Sequence, residues 1–342
     1  MDDHAVTSPD AVGQRASGSL FGLAYGDALG APTEFLPLDE IIRRYGPTGP
    51  RDLTGDPARV TDDTQLGLAV GWALYDAGPA PTPERLAFLL RQRFVAWAHS
   101  PENNRAPGMT CLRACGGLAE GLRWQEATID GSKGCGANMR VTPVGLVSGY
   151  DLETLAGVAQ LQAGLTHGHP TGLAASELTA YAVRVLREGA GLTELPGLLR
   201  ARAVSQRTVY HHDWLGDLWH RPTVDGPAGF IARGWDECLA VLDRLDAALA
   251  TPDDGGDPCR ATGEGWVAEE ALATALLCAV RHHHDPVAAL SRAATTSGDS
   301  DSIACLTGAF LGATYGMAGW PAGWLDRIEY ADQLATLGAA WD

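Results

Sequence analysis

Two short runs of the sequence concentrate oxygen donors. Thr61-Asp62-Asp63-Thr64 precedes the apolar stretch Gln65 to Tyr75, and Ser297-Gly298-Asp299-Ser300-Asp301-Ser302 precedes Ile303 to Tyr315. In both, carboxylates and hydroxyls stand where a helix is expected to begin, and the helix dipole and free N–H groups favour ionised side chains there. Helix capping explains one or two polar residues, and for Thr61 alone it suffices. It does not explain four carboxylates with further hydroxyls split over two sites. Consecutive residues such as Asp62 and Asp63 project in different directions at a helix start, which suits ligands converging on two adjacent ions. The donors are hard oxygens without Cys or His, the chemistry of Mg²⁺ or Mn²⁺ rather than Zn²⁺. A paired metal site can position a water and bind substrate oxygens together.

Other motifs fall around these runs in a fixed order. They are Gly26-Asp27-Ala28-Leu29-Gly30 with Glu34, then Thr61 to Thr64, Gly134-Cys135-Gly136-Ala137-Asn138-Met139-Arg140, Thr166-His167-Gly168-His169, Gly263 to Glu270, and Gly298 to Ser302. Together, from about Ser17 to about Trp320, they resemble the ADP-ribosylglycohydrolase family, in the style of its bacterial dinitrogenase-reductase-activating members. The resemblance implies an all-α fold whose cleft holds two Mg²⁺ or Mn²⁺ ions and hydrolyses a glycosidic bond between ADP-ribose and an acceptor. Carried over residue by residue, Thr61, Asp62, Asp63, Asp299, Asp301 and Ser302 fall on the metal-ligand positions. Glu34 falls where some members use a glutamate that moves during catalysis; without the resemblance it reads as a surface carboxylate after Pro32. Glu34, Asp62 and Asp63 are thus the expected catalytic residues. One departure stands out: arginine-specific bacterial members often carry Asp-Ile-Gly-Asn-Thr where this chain reads Pro101-Glu102-Asn103-Asn104-Arg105-Ala106-Pro107-Gly108-Met109-Thr110.

The expected substrate-binding positions are Gly134, Cys135, Gly136, Met139 and His167. Free N–H groups of a glycine-rich loop suit a pyrophosphate or ribose, and the resemblance assigns His167 a contact with ADP-ribose. Cys135 reads as a packing thiol, since no activating base is evident. The only lysine in the chain, Lys133, opens this loop, and its role is left open. His169 reads as a polar loop residue, and His282-His283-His284 as the end of a helix favoured by its dipole. Trp266 is expected to pack under the cleft, with Glu269 or Glu270 supporting the metal ligands from outside.

The elements that must hold these residues read as helices. Apolar positions recur at spacings of three and four in Thr82 to Ala98, Ala228 to Leu249 and Ala268 to Val280, and alternating strand patterns are nearly absent. The expected architecture is an all-α, compact orthogonal multi-helix bundle of about a dozen helices, with the dinuclear metal cleft that the resemblance implies. A flexible N-terminus, 1–16, should precede a single domain, 17–342. Glycines four apart (Gly18, Gly22, Gly26, Gly30; Gly67, Gly71; Gly308, Gly312, Gly316) predict close backbone approach, because each helical glycine costs about 0.5–1 kcal/mol relative to Ala. The His- and Trp-rich segment 206–229 reads either as a lid or as a loop packed by its tryptophans. The Asp- and Gly-rich segment 251–265 reads as a surface connection.

The 342 residues carry 25 Lys or Arg against 42 Asp or Glu, a formal charge of −17, which excludes a broad phosphate-tracking face and with it nucleic-acid binding. Seven scattered cysteines without a C-x-x-C pair read as reduced thiols, and no signal-like or membrane-spanning stretch is visible, so a cytoplasmic protein is expected. The expected partner is an ADP-ribosylated protein, with arginine as the acceptor. The alternatives are a small conjugate such as O-acetyl-ADP-ribose, or a non-catalytic, crystallin-like relative.

Overall fold

In the computed structural model the described residues, 13–222 and 224–342, are helical, with isolated β-bridges in place of sheets. In chain order the α-helices are α1 (Arg15–Gly30), α2 (Leu38–Tyr45), α3 (Asp62–Ala77), α4 (Pro83–Ala98), α5 (Met109–Ala119), α6 (Trp124–Ala127), α7 (Thr142–Leu146), α8 (Leu152–Gly164) and α9 (Pro170–Arg187). Then follow α10 (Leu195–Gln206), α11 (His212–Leu215), α12 (Gly226–Leu249), α13 (Cys259–Thr262), α14 (Ala268–Arg281), α15 (Pro286–Ala293), α16 (Ser300–Tyr315) and α17 (Ala331–Trp341). The all-α reading holds. Both acidic helices begin three residues before their apolar runs: Asp62 and Asp63 lie in the first turn of α3, and Asp301 and Ser302 in that of α16. Of the segment expected to be flexible, 1–12 lie outside the described residues, while Arg15 and Ala16 already belong to α1.

The glycine ladders explain how runs about 240 residues apart in sequence meet. Helices α1 and α16 pair antiparallel, with Gly18 against Gly312 and Gly316, Gly22 against Gly308, Gly26 against the Ala304 carbonyl, and Gly30 against Asp301. A Cβ on Gly18, Gly22, Gly26, Gly30, Gly308 or Gly312 would collide with the opposite backbone, so the backbones touch where ordinary helices are separated by side chains. The Gly67–Gly71 pair departs from this expectation. Gly67 faces only the Leu23 side chain, 3.6 Å from where its Cβ would lie, and Gly71 faces Leu337.

Helix α1 therefore acts as a spine with two attachments at its C-terminal end. Its Asp27 reaches α3, and the turn that follows the helix, with the Thr33 hydroxyl 3.0 Å from Ser300 Oγ, reaches α16. The chain end closes on the same helix, where Asp342 accepts from Ala16 N at 2.7 Å and Ser17 Oγ at 2.6 Å. The large apolar core takes in α1, α3, α9, α12, α14 and α16. All seven cysteines are free and buried. No helix of the described residues is long and apolar enough to cross a membrane.

Candidate active site

Asp27 starts the site. Fully buried, it accepts from Thr61 N at 2.9 Å, Thr64 N at 3.0 Å and Thr64 Oγ1 at 2.5 Å, satisfying donors at the buried N-terminus of α3 that have no partner within the helix. Thr61 is the N-cap, its hydroxyl accepting from Asp63 N at 3.3 Å. This fixes the first turn of α3, from which Asp62 and Asp63 extend into a cleft of about 300 Å³. From the other side, the Glu264 carbonyl accepts from Asp299 N at 2.8 Å, and Asp301 Oδ1 accepts from Ser302 N at 2.9 Å, which sets the start of α16. The turn after α1 brings Glu34 over both. Carboxylate oxygens of Glu34, Asp299 and Asp301 lie within 4.8 Å of one another.

Asp62, Asp63, Asp299, Asp301, Ser302 and Glu34 all line this one cleft, together with Gly134, Cys135, Gly136, Met139 and His167. Thr61 lies just behind it, its hydroxyl 3.3 Å from Asp63 Oδ2. Burial, and then the nearby Asp301 carboxylate, push Glu34 up to about 9 and Asp62 up to about 7; Asp63 and Asp299 stand well above the usual carboxylate range for the same reasons. Asp63 Oδ1 is buried with no hydrogen-bond partner. Crowded hard-oxygen donors, one of them orphaned, fit divalent cations such as Mg²⁺ or Mn²⁺.

The glycine loop forms the facing wall. Cys135 N donates to Trp266 O at 3.0 Å, Ala268 N to Lys133 O at 2.9 Å and Asn138 Nδ2 to Ala268 O at 3.0 Å, so the loop is laced to the segment before α14. The Lys133 ammonium lies between Glu237, at 2.7 Å, and the buried Glu269. This places Glu269 away from the role expected for it, supporting metal ligands; Glu270 instead faces Arg244 and the Glu264 N–H. Burial pushes the Cys135 thiol far up, consistent with packing. His167 is buried and held down to about 3 by that burial and by the Arg140 charge, so its imidazole is neutral. His169 caps α9, accepting from Thr171 N at 3.2 Å.

Several features were not visible in the sequence. Trp266 does not pack beneath the cleft: it is 39% exposed at the mouth and stacks on Phe35, which is 65% exposed with a left-handed φ of 62°, at 5.6 Å between ring centres. Asp27 positions the start of α3, a role its own motif does not signal because its partners lie 34 and 37 residues away. Ala106, Gly108, Met109 and Thr110 line the cleft beside Asp62, whose Oδ2 accepts from Gly108 N at 3.3 Å. The described residues of 206–229 do not line this cleft, so they form no lid over it. Trp214 packs against Gly157 of α8, and the cavity of about 470 Å³ beside His211 and His212 shares no lining residue with the site. In 251–265 only the first half is a surface connection, since Asp257 is buried and accepts from Ser297 Oγ at 2.5 Å.

Comparison with known proteins places the chain and its fold in one family. The chain is 27% identical over 331 residues to the ADP-ribosyl-(dinitrogen reductase) glycohydrolase of Rhodospirillum rubrum, covering 95% of this chain and 93% of that protein. It is 25% identical over 333 residues to the ADP-ribosylarginine hydrolase Tri1 of Serratia proteamaculans strain 568, covering 94% of this chain and 77% of that protein. A solved structure described as an ADP-ribosylglycohydrolase-related protein complex shares the fold, with a TM-score of 0.68 at 24% identity over 97% of this chain and 98% of that one. The family model described as ADP-ribosylglycohydrolase matches residues 8–341, nearly the full length, and the chain belongs to that family.

Proposed function

We propose that the protein, a single domain over 17–342, is a cytoplasmic, metal-dependent hydrolase that removes ADP-ribose from a modified acceptor, with protein arginine as the favoured acceptor. The observation that carries this reading is the meeting of Asp62, Asp63, Asp299, Asp301, Ser302 and Glu34 in one cleft opposite the glycine loop. Thr61, Asp62, Asp63, Asp299, Asp301 and Ser302 would hold two Mg²⁺ or Mn²⁺ ions. When bound, the ions supply Lewis acidity and a template for water and the distal ribose hydroxyls. Gly134, Cys135, Gly136, Met139 and His167 bind the ADP-ribose, holding the anomeric carbon over the carboxylates. Glu34, with its raised proton affinity, exchanges a proton with the water or the leaving acceptor. The arginine acceptor is supported by the likeness to the Serratia ADP-ribosylarginine hydrolase.

A second reading, hydrolysis of O-acetyl-ADP-ribose, is favoured by the Asp62 flank, where the Ala106 to Thr110 wall offers no carboxylate. The test incubates purified protein with arginine- and serine-linked ADP-ribosylated proteins and with O-acetyl-ADP-ribose, with and without EDTA. Expected is EDTA-sensitive release from the arginine-linked protein that is abolished in Asp62→Asn/Asp301→Asn. Release from none of them would reject the enzyme and leave a non-catalytic relative.

A further inference from the structure

We propose that Arg140 and Thr166 are positioning residues that lock His167 as the neutral tautomer with its proton on Nε2, so that the cleft wall presents a fixed, uncharged N–H donor. Arg140 is fully buried, and its hydrogen bonds go to no carboxylate: Nε donates to Gln162 Oε1 at 2.9 Å, and Nη2 donates to Gln162 O and Thr166 Oγ1, each at 2.8 Å. Its guanidinium lies 4.2 Å from the centre of the Phe94 ring. Guanidinium only donates, so one lone pair of the Thr166 hydroxyl is committed to accepting from it.

The hydroxyl proton then has two possible destinations. His167 Nδ1 is 2.8 Å away and the Ala163 carbonyl 3.4 Å away, beyond the usual O–H···O range. That carbonyl already accepts from Thr166 N at 3.1 Å and His167 N at 2.9 Å, which occupies both of its lone pairs. Thr166 therefore donates to Nδ1, Nδ1 is the unprotonated nitrogen, and the ring proton of the neutral imidazole sits on Nε2. Nε2 lies along the cleft wall, 3.4 Å from where a Cβ would stand on either Gly134 or Gly136. The relay of Arg140 to Thr166 to His167 thus converts a buried cation into the orientation of a neutral donor. Such a donor accompanies the loop amides toward a ligand oxygen without adding a charge to the wall.

The tautomer is a property of the protein alone, whereas its use toward ADP-ribose rests on the function proposed above. The experiment is long-range ¹H–¹⁵N correlation on metal-free, ¹⁵N-histidine-labelled full-length protein, with His167 assigned from the signal lost in His167→Gln. The expected result is a pyridine-type Nδ1 and a pyrrole-type Nε2; the opposite pattern, or a charged ring at neutral pH, overturns the inference. Thr166→Val should yield mixed tautomers and weaken calorimetric binding of free ADP-ribose by about tenfold, with Thr166→Ser restoring both. A folded Thr166→Val protein with the wild-type tautomer also overturns it, and if that variant does not fold the wild-type spectrum alone decides. Wild-type protein with the expected tautomer that binds no ADP-ribose would instead reject the functional reading and leave the tautomer assignment intact.

Discussion

Five carboxylates in one cleft set the behaviour of the site at the scale of single residues. A carboxyl group whose proton affinity is higher folded than unfolded makes a contribution that is complete below its unfolded value near 4 and is lost as pH rises through its folded value. For Glu34 that loss extends to about 9, and Asp63 and Asp299 shift in the same direction. Buried His167 and His211 are shifted down, so their opposing effect is finished above about pH 7. Metal-free protein should therefore lose stability between about pH 7 and about pH 9, and thermal unfolding in EDTA that is flat or rising across that window would contradict the assignment. Lys133 carries a second prediction. Among the described residues it is the one cation paired with the buried Glu269, whose Oε2 is already unsatisfied, so Lys133→Met should cost about 2 kcal/mol, discounted because the lysine is a third exposed. Adding Glu269→Gln should recover most of that in denaturant titrations; additive losses would count against the pairing. The acids were legible because acidic residues before an apolar run are a local signal. Asp27 and the Phe35–Trp266 stack were not, because their partners are fixed by tertiary packing: Asp27 is 34 and 37 residues from the groups it caps.

Among the elements, the α1–α16 joint decides whether the two acidic helix starts meet. A methyl group on Gly22 would meet the Gly308 carbonyl and the Trp320 ring, neither of which can withdraw. Gly22→Ala should destabilise by about 2–3 kcal/mol, the upper range of overpacking. Gly67→Ala, where the added methyl meets only a leucine side chain at 3.6 Å, should instead stabilise by about 0.5–1 kcal/mol through helix propensity. Urea unfolding of the two variants tests the contrast, and equal losses would mean that the ladders do not differ as the structure indicates. The pair also marks a limit of sequence reading. Spacing alone treats Gly67 and Gly71 like Gly18 and Gly22, because i, i+4 glycines mark a smooth helix face without saying whether a backbone or a flexible side chain covers it. Helix type and approximate extent were legible from periodicity. The earlier starts of α3 and α16 were not, since their first turns are polar and carry no apolar repeat.

For the whole molecule, the site joins the two ends of the chain: Asp62 and Asp63 come from the first quarter, Asp299 and Asp301 from the last, and the terminal Asp342 is bonded to α1. A cation held by both acidic runs therefore opposes unfolding of the entire chain and not of one helix. At a free Mn²⁺ concentration about 100 times its Kd, one site should add about 2.7 kcal/mol, a rise in Tm of about 4 °C for a protein of this length. The acidic balance of −17 gives the opposite expectation without metal, since part of that charge is confined to the cleft. Asp62→Asn/Asp301→Asn removes two of the crowded carboxyls, so at pH 8 in EDTA it should melt above wild type. In excess Mn²⁺ the order should reverse, because the variant has lost the ligands that make the charge useful. That crossing of two melting curves separates a metal site from an ordinary buried acidic cluster, in which neutralisation would stabilise the protein in either buffer.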